Sequence, residues 1–161
     1  MTHIIKFLFI LILCCSATAA DYSKRLGVGL SDHLVTEVPL ISVKYHQDTK
    51  NAYSAVLGVD STQEQSSYAL GFKYYRNIFK EENINFYNSI GLSLLSYDNL
   101  SQEKETGYQL DWTFGAEFNF SALKSLGFSF EFGLSAVDYL DKTSIRTNAN
   151  NILKSAIHFY L

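Results

Sequence analysis

The sequence predicts an all-β chain folded as an eight-stranded antiparallel up-and-down barrel. Three observations predict it. Apolar and polar residues alternate with a period of two through eight separate segments, the pattern of strands with one greasy face. A single proline, Pro39, beside 12 Phe and 11 Tyr favours strands over helices or disorder. The connectors also alternate, short after even-numbered segments and longer after odd-numbered ones.

Residues 1–20 stand outside the barrel, which is expected to occupy 21–161. Lys6 and the amino terminus supply positive charge, an apolar run follows from Phe7 to Cys15, and the stretch ends in small residues. That is the layout of a cleaved export signal, too short for a transmembrane helix, with cleavage expected after Ala19 or Ala20. Both cysteines, Cys14 and Cys15, lie within it. Bulky Leu13 before Cys14 speaks against a lipoprotein reading of the pair. The exported part therefore has no thiol and is held by burial and backbone pairing alone. Loss of Lys6 moves the formal charge of −3 to about −4, with no basic stripe for nucleic acid.

The first segment, 25–30, sets Leu26, Val28 and Leu30 against Gly27 and Gly29. The second, 39–46, opens on Pro39, where a missing donor does least harm, and sets Ile41, Val43 and Tyr45 against Ser42, Lys44 and His46. The third, 52–60, and the fourth, around 68–75, continue with Tyr53, Leu57, Leu70 and Phe72 on one side. The fifth spans 84–97. The sixth has the cleanest period, with Tyr108, Leu110, Trp112, Phe114, Phe118 and Phe120 opposing Gln109, Asp111, Thr113, Glu117 and Asn119. The seventh repeats it from Leu126 to Ala136, with Glu131 on the polar side. The eighth, 152–161, carries Leu153, Ile157, Phe159 and Leu161 on one face and Lys154, His158 and Tyr160 on the other.

Tight connectors at 47–51, 78–83 and 121–125 alternate with longer ones at 31–38, 61–67, 98–105 and 138–150. Transmembrane barrels combine an even strand number with brief periplasmic turns and larger outer loops. Alternation by itself also fits a soluble lipocalin-like barrel that carries an apolar ligand. The polar face decides between them. It holds Arg25, Lys44, Lys73 and Lys154, the acids Asp111, Glu117 and Glu131, and many glycines and serines. A narrow interior needs small residues that leave room for a few long ones, and these seven charges suit an internal ion-pair network. A Lys or Arg turned to lipid at mid-membrane costs about 2–4 kcal/mol, so the greasy face must point outward. Tyr45, Tyr53, Tyr68, Tyr97 and Tyr108 near strand ends suit aromatic girdles.

On this pattern the chain resembles the small eight-stranded bacterial outer-membrane β-barrels typified by the OmpA membrane domain and OmpX. The closing run from Leu153 to Leu161, with Ile157, Phe159 and Leu161 in phase, looks like the carboxy-terminal signal read by the barrel-assembly machinery. The family commonly ends in Phe where this chain has Leu161. The resemblance implies insertion in the outer membrane, contact with lipid and lipopolysaccharide, a plugged polar lumen, and a monomer. A structural or surface-interaction role is expected, with loops 98–105 and 138–150 as contact surfaces.

Some small barrels modify lipid A, which makes a deacylase or acyltransferase the alternative. Such chemistry needs a serine, a histidine base and an orienting carboxylate. Ser42, His46, Glu117 and His158 are the weak candidates. Neither histidine sits in the His-x-Ser-Asn element of the deacylases, so no catalytic assignment is made. His33, in a loop, receives no role. The acids lack metal-ligand spacing, and neither metal nor cofactor is expected.

Overall fold

The computed structural model describes residues 21–35, 40–61, 66–98, 104–120, 122–139, 142–147 and 153–161. The proposed export signal, Pro39, and much of loops 98–105 and 138–150 lie outside them. Nine strands are described: β1 (Leu26–Ser31), β2 (Leu40–His46), β3 (Asn51–Ser61), β4 (Ser66–Glu81), β5 (Ile84–Asp98), β6 (Lys104–Phe120), β7 (Leu123–Tyr139), β8 (Lys142–Thr147) and β9 (Lys154–Tyr160). Each of β1 to β7 pairs antiparallel with the next, and β9 closes the ring between β7 and β1. The result is the eight-stranded closed barrel that the alternation predicts.

Two details depart from the expected segments. β7 gives only its inner half, Leu126 to Glu131, to β9, while its outer half, Leu134 to Tyr139, pairs with β8. Part of what reads as loop 138–150 is thus a short ninth strand standing on the rim. The connector read as 78–83 shrinks to Glu82 and Asn83, because β4 continues to Glu81 past an irregularity between Asn77 and Phe79. An extra residue there breaks the period of two, so the pattern lapses while the pairing continues.

The register fixes the geometry of the wall. One line of paired residues runs Phe159, Val28, Val43, Ala55, Phe72, Leu92, Leu110 and Ala136. Phe159 also pairs with Leu126, so the circuit returns to β7 ten residues from Ala136. With strands about 4.8 Å apart and about 3.3 Å per residue, that offset tilts the strands by about 40°.

The apolar face is the outer one. Trp112, Phe114 and Phe130 are exposed at 49%, 38% and 39%, whereas Gln109, Thr113 and Glu131 are fully enclosed. Any side chain on these strands that faces in meets a cylinder too narrow for bulk water, so polar groups must satisfy one another there.

Candidate functional site: the barrel interior

Glu117, Glu131 and Asp111 each organise part of the interior. Toward the turn end, Glu117 accepts from Lys44 Nζ at 2.9 Å, lies 3.4 Å from His46 Nε2, and accepts a short hydrogen bond from the Tyr160 hydroxyl. The Lys44 ammonium also sits 4.4 Å from the centre of the Tyr75 ring and 5.1 Å from that of Tyr87. In the middle, Lys73 donates to Glu131, which also accepts from Thr113 Oγ1 at 2.7 Å and Tyr87 OH at 3.1 Å. Above it, Lys154 Nζ donates to Asp111 at 2.6 Å and to Ser135 Oγ at 3.1 Å, while Gln109 Nε2 approaches both Asp111 oxygens. Six of the seven charges read from the sequence therefore form three buried pairs, each bridging different strands.

Arg25 stands apart from that set. It precedes β1 at the turn end, where its guanidinium donates to the carbonyls of Leu161 at 3.1 Å and Tyr160 at 2.8 Å and to Ser125 Oγ. It ties the start of the barrel to its last residues rather than entering the interior.

Glycine makes these clusters possible at two positions in particular. A Cβ on Gly127 would lie 2.9 Å from both Glu117 Oε1 and the Tyr160 ring. One on Gly115 would come within 2.8 Å of Glu131 Cγ and the Tyr87 ring. Neither wall could carry a larger residue without displacing the acid opposite it.

Among the described residues, side chains pack against the polar groups at each end of the interior. At the turn end the Tyr22 ring stacks on Tyr160 with centroids 3.9 Å apart, and its hydroxyl donates to the Leu126 carbonyl. Burial, and then the Glu117 carboxylate, push the Tyr22 phenol upward, which keeps it a donor. At the loop end, the chain leaving β1 folds inward. Leu34 and Val35 bury against Leu40, Val56, Ala69, Leu95 and Val137, an aliphatic layer drawn from five strands. Gln109 holds this segment by its backbone, accepting from Val35 N at 2.9 Å and donating to His33 O at 3.1 Å. Asp32 fixes its root by accepting from the backbone and hydroxyl of Ser155.

His33, given no role from the sequence, is 3% exposed and its Nε2 lies 3.5 Å from Glu131 Oε1. Nothing periodic marks a loop residue that turns inward, although the Leu34–Val35 pair in a polar connector is a usable signal. Between His33, Lys73 and Asp111 lies a cavity of about 10 Å³, no larger than one water needs.

The candidate catalytic residues are divided rather than assembled. Ser42 Oγ is 2.9 Å from His158 Nε2, and His158 Nδ1 has no hydrogen-bond partner among the described residues. His46 instead faces Glu117 and the Tyr160 hydroxyl, at 3.1 Å. All four candidates are enclosed, at 3% exposure or less. Among the described residues no group of His, Cys, Asp and Glu could hold a metal ion. The residues of the closing pattern, Ile157, Phe159 and Leu161, lie on the outer surface.

No family model and no curated protein matches the chain. Among solved structures, the crystal structure of the N-terminal β-barrel domain of Pseudomonas aeruginosa OprF is similar, with a TM-score of 0.56 and 14% identity. The match covers 86% of this chain and 98% of that one. The likeness is one of architecture: the chain has the fold of a small outer-membrane β-barrel domain.

Proposed function

We propose that the protein is an integral outer-membrane barrel with a closed interior, exported by its first twenty residues and acting structurally or through its outer loops rather than as an enzyme. The carrying observation is the inversion of the usual polarity. Large apolar side chains cover the outer wall while the three acid–base pairs are buried within it. A soluble barrel would expose that wall to water, far beyond the patch size a soluble monomer tolerates. In a bilayer the same wall meets acyl chains, and β-pairing round a closed ring satisfies the backbone. The layers over both mouths support a plugged lumen, as does a diameter that side chains fill. Lipid and lipopolysaccharide are then its surroundings, and the barrel-assembly machinery its partner during insertion. The enclosed Ser42–His158 pair, with no orienting carboxylate among the described residues, favours packing over lipid A chemistry.

Fractionation tests the placement. The protein is expected in the outer-membrane fraction, with a folded band that shifts mobility on boiling in detergent. Recovery in the osmotic-shock fluid would overturn it. In planar bilayers the wild type is expected to show no steady conductance. Replacing both Leu34 and Val35 by Ser is expected to open a small one, and an already conducting wild type would refute the plug.

A further inference from the structure

We infer that the outer wall at the turn end carries a binding site for the phosphodiester headgroup of an anionic phospholipid, formed by Lys50, Arg76, Asn77, Ile78 and Asn88. The inference rests on the membrane reading above and adds a ligand to it. These residues bound a surface pocket of about 390 Å³ that no carboxylate lines.

Alternation along β4 places Arg76 on the outward face, after Tyr68, Leu70, Phe72 and Tyr74. It lies one pleat beyond Tyr74 toward the turns. There Tyr74 and Tyr53 face each other at 5.5 Å, and the Tyr74 hydroxyl donates to Asn51 at 2.7 Å. Paired tyrosines of this kind mark the headgroup level of a bilayer. The neighbours of Arg76 across the sheet are Asn51 and Asn88, so a polar row interrupts an otherwise apolar wall.

An outward cation in that position needs an anion. Deep in hydrocarbon it is costly, but the cost nearly vanishes at the interface, where the side chain reaches phosphate. Among the described residues, neither Arg76 nor Lys50 pairs with a carboxylate. Asp48, in the same turn as Lys50, accepts instead from the backbone N–H groups of Lys50 and Asn51 and from the Asn51 amide. Asn77 Nδ2 donates to Thr49 O at 2.8 Å, which fastens the turn bearing Lys50 to β4.

The pocket therefore offers a forked guanidinium, an ammonium and the Asn88 amide on a fixed frame, a donor set suited to phosphate oxygens. Ile78 and Phe79, exposed at 58% and 50%, continue the wall beside it and suit the glycerol and acyl portions of a lipid. The same end carries Lys24, Lys80 and Lys124 but also Asp21, Asp48, Glu81 and Glu82, so the pocket's own donors, rather than a general basic surface, carry the attraction.

The test uses isotopically labelled barrel refolded in dodecyl maltoside, which carries no phosphate. Dihexanoyl phosphatidylglycerol, dihexanoyl phosphatidylcholine and inorganic phosphate are titrated separately while the Arg76 Nε–H and Asn88 amide resonances are followed. Saturable shifts are expected with phosphatidylglycerol. Binding should weaken at least about fivefold in Lys50→Gln, read at Arg76 and Asn88, and in Arg76→Gln, read at Asn88, the change expected for losing one cation beside an anionic headgroup. Equal binding of inorganic phosphate would make this a free-anion site, and equal binding of phosphatidylcholine would remove the preference for net negative charge. Either result overturns the inference, as do shifts untouched by both substitutions. A barrel that inserts into phosphatidylcholine vesicles yet shows no such shifts refutes this site alone. One that stays in the aqueous phase refutes the membrane reading.

Discussion

Replacing Glu117 by Gln removes one charge from the interior at almost constant volume, which isolates the electrostatic contribution from any cavity. Glu117 and Lys44 are each 1% exposed, so the remaining ammonium cannot be rescued by water. Breaking one side of such a pair costs about 3–5 kcal/mol. The Tyr75 and Tyr87 rings, 4.4 and 5.1 Å from Lys44 Nζ, offset part of this, about 1–2 kcal/mol for a desolvated cation over aromatic faces. Gln can still accept from the Tyr160 hydroxyl. The expected destabilisation is about 3 kcal/mol, or about a hundredfold in the folded-to-unfolded ratio. Adding Lys44→Met removes the stranded charge, and the double variant should recover most of the loss. Urea unfolding from phosphatidylcholine vesicles, followed by the emission of Trp112, the chain's one tryptophan, measures both. A single variant costing under about 1 kcal/mol, or a double variant no more stable than the single, would refute this account of the pair.

Three further expectations follow from the same geometry. Phe130→Arg and Leu92→Arg put a cation on the outer wall and should each cost about 2–4 kcal/mol in the vesicle assay if they sit near mid-membrane; an unchanged midpoint would mean that wall does not face lipid. Gly127→Ala should lose about 1–3 kcal/mol, because the new methyl meets Glu117 and Tyr160 at 2.9 Å, whereas Gly91→Ala meets nothing closer than the flexible Lys73 stem at 3.3 Å and should cost less. The Asp48 carboxyl is held below its ordinary value of 3.8, first by the Asn51 side-chain amide and then by the backbone N–H groups of Lys50 and Asn51. Its contribution to the turn is complete above the unfolded value and is lost as pH falls through the lower folded one. Carboxyl carbon NMR should therefore place its midpoint below 3.8, and a midpoint at or above that value would count against the turn's hydrogen bonds.

The barrel was legible because its wall is made almost wholly of residues that obey one rule. From Tyr108 to Phe120 every outward position is apolar apart from small residues, and the alternation carries both strand identity and facing. Legibility failed where the rule does not apply. The irregularity at Asn77 and Phe79 shifts the phase, so the alternation of β4 ends before its pairing does. β8, Lys-Thr-Ser-Ile-Arg-Thr, is short and mostly exposed, with too little apolar contrast to declare a face. Residues 33–35 enter the interior as an irregular segment, and their burial depends on Gln109, about 75 positions away in sequence. Arg25 shows a subtler limit. Its parity assigns it to the inner face, but at a strand's end a long side chain can bend to the rim, where the terminal carbonyls lie.

Because β9 pairs on both flanks, with β7 and with β1, this one strand decides whether the cylinder shuts. Tyr160 and Leu161 together supply the phenol that bonds to Glu117, the ring that Tyr22 covers and the carbonyls that Arg25 grips. Sealing the wall and completing the Glu117 cluster are thereby a single event, since one strand brings both the seam and the phenol.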